Sequence, residues 1–247
     1  MWTGRFCVRH NELEMTDRQL QDFEILTFDC YGTLIDWETG IVRALRSALG
    51  EVAAAAGDER LLELYAGHEA TLEARPYLPY RAVLAGAARG VGADLGGAPG
   101  DEALRGFAES VGDWPAFPDS VDALARLKQH FRLGVITNCD TDLFARSNVR
   151  LGVAFDWVIT AEQLGSYKPN PRNFELALEQ IGGDRSRHLH VAQSLFHDHV
   201  PARTFGLRTA WIDRRHDRPG SGATPPAEAT PDFTFPDMAS FAAAAIG

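Results

Sequence analysis

Apolar positions along this 247-residue chain change period twice. Ile25, Leu26 and Phe28 form a short run of strand length that stops at Asp29, after which Tyr31, Gly32 and Thr33 turn the chain. From there to about residue 112 the spacing is helical. Ile41, Leu45, Leu49 and Val52 mark one helix, and Leu61, Leu64, Tyr65 and Leu72 a second, ended by Arg75-Pro76. Tyr80, Val83, Leu84, Ala87 and Val91 mark a third, and Leu104, Phe107 and Val111 a fourth. No strand signal interrupts this stretch.

Beyond the stiff segment 112–118, with Pro115 and Pro118, strand and helix patterns alternate. Strands are expected at 133–138, 155–159, 188–192 and 208–212, with helices around 121–127, 143–151, 174–181 and 200–205. A Pro- and Gly-rich loop, 215–231, precedes a last short strand and helix. Such alternation predicts an α/β fold, a doubly wound parallel (Rossmann-like) sheet, with a helical segment inserted after the first strand. The expected division is a loose extension at 1–21, a core of 22–39 and 116–247, and an insertion of 40–115. Met15 is an alternative start.

With 45% hydrophobic residues, the chain can bury a substantial core. Its formal net charge of −10 argues against a nucleic-acid surface. No apolar run approaches the roughly 18 residues of a membrane span, and the polar start lacks a signal core, so a cytoplasmic location is expected. Three cysteines, Cys7, Cys30 and Cys139, include no C-x-x-C pair, which argues against a disulfide framework or a zinc site and leaves small buried side chains as the ordinary reading. His188, His190, His197 and His199 raise the question of a transition-metal site, although His188 and His190 lie upstream of the end of their strand.

A strand that ends on a carboxylate before a Gly-containing turn presents a reactive group at the carboxyl edge of an open sheet. Asp29 fits that description; an ordinary turn is the plainer alternative. Gly32 permits backbone that a Cβ would obstruct, and Thr33 is spaced to hold the carboxylate. The sequence Asp29-Cys30-Tyr31-Gly32-Thr33-Leu34 resembles the first motif of the haloacid dehalogenase superfamily, closest to the L-2-haloacid dehalogenases. Three further segments carry the resemblance: Thr137-Asn138, Ser166-Tyr167-Lys168-Pro169, and His190 to Asp198. The inserted helices are then the cap domain of that family.

The resemblance implies hydrolysis of a short-chain 2-haloalkanoic acid through an ester on Asp29, with no metal or cofactor. Lys168 would keep Asp29 ionised, Thr33 would orient it, and Asp198 would position Lys168 or the hydrolytic water. Tyr31, Thr137, Asn138, Gln193, Ser194 and His197 would surround the substrate. A small molecule is the partner implied, and a homodimer the assembly. The alternatives are a magnesium-dependent phosphatase and a non-catalytic binding member of the fold. Tyr31 stands where the phosphatases place an acid, and Gln193 where they place a metal-binding carboxylate. The departures from the dehalogenases are Phe174 for a tyrosine, Gln193 for a serine, Leu195 for an asparagine, His197 for a tryptophan, and Ala66 near the position of a substrate-binding arginine, for which Arg75 and Arg81 are the candidate substitutes.

Overall fold

The computed structural model describes residues 19–218, 220 and 222–247. Cys7, Met15 and most of the expected N-terminal extension lie outside those residues. Leu20 and Gln21, expected in the loose extension, are tied down: Leu20 is buried, and Gln21 Nε2 donates to Ala244 O at 2.7 Å.

Six strands form one parallel sheet: β1 (Ile25–Phe28), β2 (Arg132–Thr137), β3 (Trp157–Thr160), β4 (His188–Ala192), β5 (Arg208–Ile212) and β6 (Phe233–Phe235). Their order is β3-β2-β1-β4-β5-β6, so the winding reverses between β1 and β4. Reversal opens a crevice at the carboxyl ends of the strands, where such sheets hold ligands. Phe28 pairs with Val135 on one side and Val191 on the other, and Asp29 N–H donates to Val191 O at 3.1 Å. Asp29 is therefore fixed by the last rung of the central strand.

The sheet is buried on both faces, as parallel sheets are. Leu26, Phe28, Leu133, Val135, Leu189 and Val191 belong to one apolar cluster, while Ile25, Ile136 and Ile159 join Phe174, Leu178 and Ile181 in the other. Strand alternation also sends Thr27, His188 and His190 to the second face, as buried polar groups.

Between β1 and β2 the chain forms α1 (Trp37–Leu49), α2 (Glu51–Ala54), α3 (Asp58–Glu73), α4 (Tyr80–Asp94) and α5 (Asp101–Glu109). The Asp36 side chain caps α1 by accepting from Thr39 N at 3.2 Å. The expected boundary after residue 39 thus falls inside the first turn of α1. Outgoing and returning segments meet in an antiparallel bridge between Ile35 and Ala116, with Asp36 N–H donating to Pro115 O (2.8 Å) and Phe117 N–H to Leu34 O (3.0 Å). The insertion shares its apolar cluster with the sheet through Leu61, Tyr65, Tyr80 and Leu84.

The later helices are α6 (Ser120–Leu127), α7 (Thr141–Leu151), α8 (Ala161–Leu164), α9 (Pro171–Ile181), α10 (Val200–Thr204) and α11 (Met238–Ile246). Residues Leu195–His199 make one π-helical turn ahead of α10, a feature absent from the sequence reading along with the short α8. None of the described helices is long and apolar enough to cross a membrane.

Leu26 has no solvent exposure in β1, whereas Val149 on α7 is 81% exposed. Leu26→Ala should lower unfolding free energy by about 2–5 kcal/mol in denaturant titration, and Val149→Ala should change it by less than about 0.5 kcal/mol.

Candidate active site

Asp29 stands at the end of β1, and the turn behind it orients it. Thr33 Oγ1 donates to Asp29 Oδ2 at 2.8 Å and accepts from Gln193 N–H at 2.9 Å. Gly32 has φ +94°, and a Cβ there would lie 2.9 Å from Trp37 Nε1 and 3.2 Å from Gln193 Oε1. The turn needs glycine both for its dihedral and for the close approach of these two side chains.

Lys168 is 1% exposed. Its ammonium donates to Asp29 Oδ1 (2.9 Å), Asp198 Oδ1 (2.7 Å) and Ile136 O (2.8 Å), which uses all three of its hydrogens. Asn138 clamps the lysine backbone: its Oδ1 accepts from Lys168 N–H at 2.7 Å and its Nδ2 donates to Lys168 O at 2.9 Å. Carboxyl ends of β1, β2 and β4 thus converge on one cation supplied by the loop after α8.

Asp198 Oδ1 also meets His190 Nε2 at 2.9 Å. His190 Nδ1 lies 2.9 Å from Thr27 Oγ1, which in turn is 2.7 Å from His188 Nε2. With the proton of His190 on Nε2, each group donates to the next, from His188 through Thr27 and His190 to Asp198. Phe174 packs edge-on to the His190 ring, 5.1 Å between centroids. These histidines serve a proton-ordered support behind the lysine. Among the described residues no group of His, Cys, Asp and Glu side chains is arranged to hold a metal ion.

A small cavity, of about 30 Å³, lies over Asp29. Of the expected substrate-facing residues, Tyr31, Asn138, Ser194 and His197 line it. Two do not. Thr137 is buried at the end of β2 and its hydroxyl has no partner. Gln193 is not among the lining residues, and its Oε1 accepts from the Thr224 hydroxyl at 3.3 Å. The sequence reading missed Trp37, Glu69, Glu73, Tyr80 and Thr224, all of which line it. Thr224 is held there because Arg215 ties its loop to Glu38 on α1 and to Glu59 on α3 (2.8 Å). Apolar periodicity carries no information about a polar residue on the inner face of a helix, and the two glutamates of α3 gave no other signal.

The arginine candidates also resolve. Arg81 is taken by Glu109 (2.6 Å) and Asp142 (2.7 Å) and does not line the cavity. Ala66 faces a separate cavity beside Thr224 and Pro225. Arg75 lines a neighbouring cavity of about 410 Å³ that shares Glu73, Lys168 and His197 with the first.

Burial, the strongest influence on Asp29, raises its carboxyl above the ordinary range, and the Lys168 charge opposes that rise. Burial also acts to raise Asp198, but the Lys168 charge and the His190 hydrogen bond outweigh it and hold Asp198 below the usual carboxylate range. Burial pulls Lys168 down, yet Asp198 and Asp29 together keep it above the ordinary lysine value. Burial lowers His197 to about 4. It pushes Tyr31 well above the usual phenol range, while the Tyr31 hydroxyl pairs with Ser147 Oγ (2.9 Å) and accepts from Cys139 Sγ (3.4 Å). Glu69 accepts from Tyr65 (2.6 Å) and Tyr80 (2.8 Å) on one oxygen. Burial still raises it to about 7, and burial with Glu69 nearby raises Glu73 well above the ordinary value.

A family profile described as haloacid dehalogenase-like hydrolase matches residues 23–192. The chain is 33% identical over 111 residues to the pyrimidine 5'-nucleotidase YjjG of Escherichia coli (strain K12), a match covering 44% of this chain and about half, 49%, of that protein. It is 27% identical over 206 residues to an (S)-2-haloacid dehalogenase of Pseudomonas putida, covering 80% of this chain and 87% of the relative. The solved L-2-haloacid dehalogenase from Xanthobacter autotrophicus superposes with a TM-score of 0.75 at 20% identity, covering 91% of this chain and 99% of that one, a likeness of fold.

The Glu69 shift gives a pH test. Its folded value of about 7 exceeds the ordinary 4.5, so its contribution is fully present below about 4.5 and is lost as pH rises through 7. Glu69→Gln removes that loss. The stability of the variant relative to the native protein should improve by up to about 3 kcal/mol as pH rises from 4.5 to 7, read from denaturant titrations at fixed pH. A flat difference would show that Glu69 is ionised throughout.

Proposed function

The chain belongs to the haloacid dehalogenase-like hydrolases, and we propose that it hydrolyses the carbon–halogen bond of a small 2-halogenated carboxylic acid, or acid derivative, through an ester on Asp29. The observation that carries this reading is the pairing of Lys168 with Asp29 (2.9 Å) beside a Tyr31 whose hydroxyl is turned into the wall against Ser147. Phosphoryl transfer from an alcohol leaving group to Asp29 calls for a donor to protonate the departing oxygen, and the residue two positions on supplies none. Halide departs as an anion and needs no proton.

In this reading an Asp29 oxygen attacks C2, the carbon–halogen bond breaks, and the halide leaves with its electron pair. Thr33 and Lys168 hold one carboxylate oxygen each, which limits rotation of the nucleophile. Water then attacks the carbonyl carbon of the Asp29 ester. The hydroxylated product leaves, the water oxygen stays on Asp29, and one proton passes to solvent. Asp198 Oδ2 is buried and has no partner among the described residues, so it is available to accept a hydrogen bond from that water.

The donor set fits a magnesium ion poorly. Mg²⁺ favours carboxylate oxygens in octahedral array. Here the Gln193 amide is committed to Thr224, Asp198 Oδ1 to Lys168 and His190, and the ammonium sits 2.9 Å from Asp29 Oδ1. The dehalogenase of Pseudomonas putida, matched over most of both chains, supports the carbon–halogen reading.

The test is a panel of chloroacetate, 2-chloropropionate, their amides and a set of phosphate esters, each with EDTA or with Mg²⁺, read as chloride and phosphate release. Chloride release that is indifferent to EDTA is expected, and Lys168→Met should cut it roughly a hundredfold or more, as loss of an electrostatic stabiliser does. Phosphate release that requires Mg²⁺ would replace this reading with a phosphatase, and release of neither would favour a binding protein.

A further inference from the structure

The cavity over Asp29 is lined by four carboxyl groups and one ammonium. Asp29 and Asp198 lie at the strand ends, and Glu69 and Glu73 come from α3, four residues apart and so on one face of that helix. Glu69 is 4% exposed and the Glu73 side chain 6%. Lys168 is the only Lys or Arg among the lining residues, and its three hydrogens are already used. A free carboxylate entering this space would be a fifth acid with no cation left to meet it.

Carboxyl oxygens supply much of the hydrogen-bonding capacity left vacant here. Tyr65 and Tyr80 both donate to Oε1 of Glu69, which leaves Oε2 without either. Glu73 receives long contacts from Asn138 Nδ2, at 3.3 and 3.4 Å. Independently of that pair, Asp198 lines the cavity with no exposure, and its Oδ2 has no partner. The glutamate pair and Asp198 all offer oxygen acceptors, which favours a ligand with N–H or O–H donors over one with a negative charge.

We propose that Glu69 and Glu73 are specificity-determining residues that select a 2-halo compound ending in a neutral amide and reject the corresponding free carboxylate. The proposal rests on the reading that Asp29 is the reacting group and this cavity its substrate site. An amide nitrogen donates two hydrogen bonds, which a glutamate pair accepts, and its carbonyl accepts from a glutamate that carries a proton. Burial, which raises both carboxyls, leaves the pair able to play the two parts at neutral pH.

Two matched pairs test this on the full chain, each differing only by –NH₂ for –O⁻. Glycolamide and glycolate report binding by calorimetry. Chloroacetamide and chloroacetate report chloride release, with the rate of Asp29→Asn subtracted. Glycolamide should bind at least tenfold more tightly than glycolate, and chloroacetamide should show at least tenfold higher kcat/KM than chloroacetate. Glu73→Gln, with Glu69→Gln as a second variant in case the first folds poorly, should cut this preference to less than threefold by improving the carboxylate. Tighter binding of glycolate, or a preference unchanged in both variants, overturns the proposal. Amide preference in binding with no chloride release from either chloro compound supports the glutamate pair's role and rejects the carbon–halogen reading instead.

Discussion

One ammonium holds the site together. Lys168 bonds the acid that ends β1, the acid of the π-helical turn after β4 and a carbonyl of β2. It thereby joins three strands at the point where the sheet reverses. Breaking a buried pair of this kind leaves an uncompensated charge and is costly, so the geometry of each partner depends on the others. Asn138 fixes the lysine backbone, Thr33 fixes the far oxygen of Asp29, and the chain from His188 to Asp198 fixes the remaining acid. Asp198 lies slightly closer to the ammonium than Asp29, 2.7 against 2.9 Å, and also meets His190. Burial raises the Asp29 carboxyl, and the Lys168 charge opposes that rise.

Much of this was legible in the chain. The strand that ends at Asp29 shows as an apolar run closed by a turn, and the alternation after residue 118 gave all of the later strands to within two residues, except that β6 was foreseen only as a last short strand. Lys168, Thr33 and Asp198 stand out by motif, and the structure brings all three to Asp29 or its lysine. What stayed hidden depends on contacts between distant segments. His190 was placed upstream of the useful end of β4, yet its ring spans the distance to Asp198 because the π-helical turn folds that acid back over the strand. Glu69 and Glu73 read as polar positions of an amphipathic helix. Only the packing of α3 over the crevice reveals that this polar face points inward.

Gln193 and Thr137, both expected around the substrate, do not line the cavity over Asp29. Each sits in the right motif, but a strand alternates its side chains, and the turn after it sets their final direction. Gln193 serves the site through its backbone N–H on Thr33, while its amide goes to Thr224. The long loop that carries Thr224 gave no sequence signal beyond proline and glycine. Its position comes from Arg215, buried between Glu38 and Glu59 of two different helices in the insertion. The insertion and this loop therefore share responsibility for the shape of the cavity, the insertion adding two acids and the loop a hydroxyl.

The claim on which the rest stands is that Lys168 sustains the ionised form of a buried Asp29. Carbon-13 NMR of carboxyl-labelled protein measures this directly, with the Asp29 resonance assigned by its loss in Asp29→Asn. On this account the Asp29 titration in Lys168→Met moves up by about 1–3 pH units relative to the native protein, the span that removing an adjacent opposite charge produces. Superimposable titrations in the two proteins would contradict it, because burial alone would then set the state of Asp29.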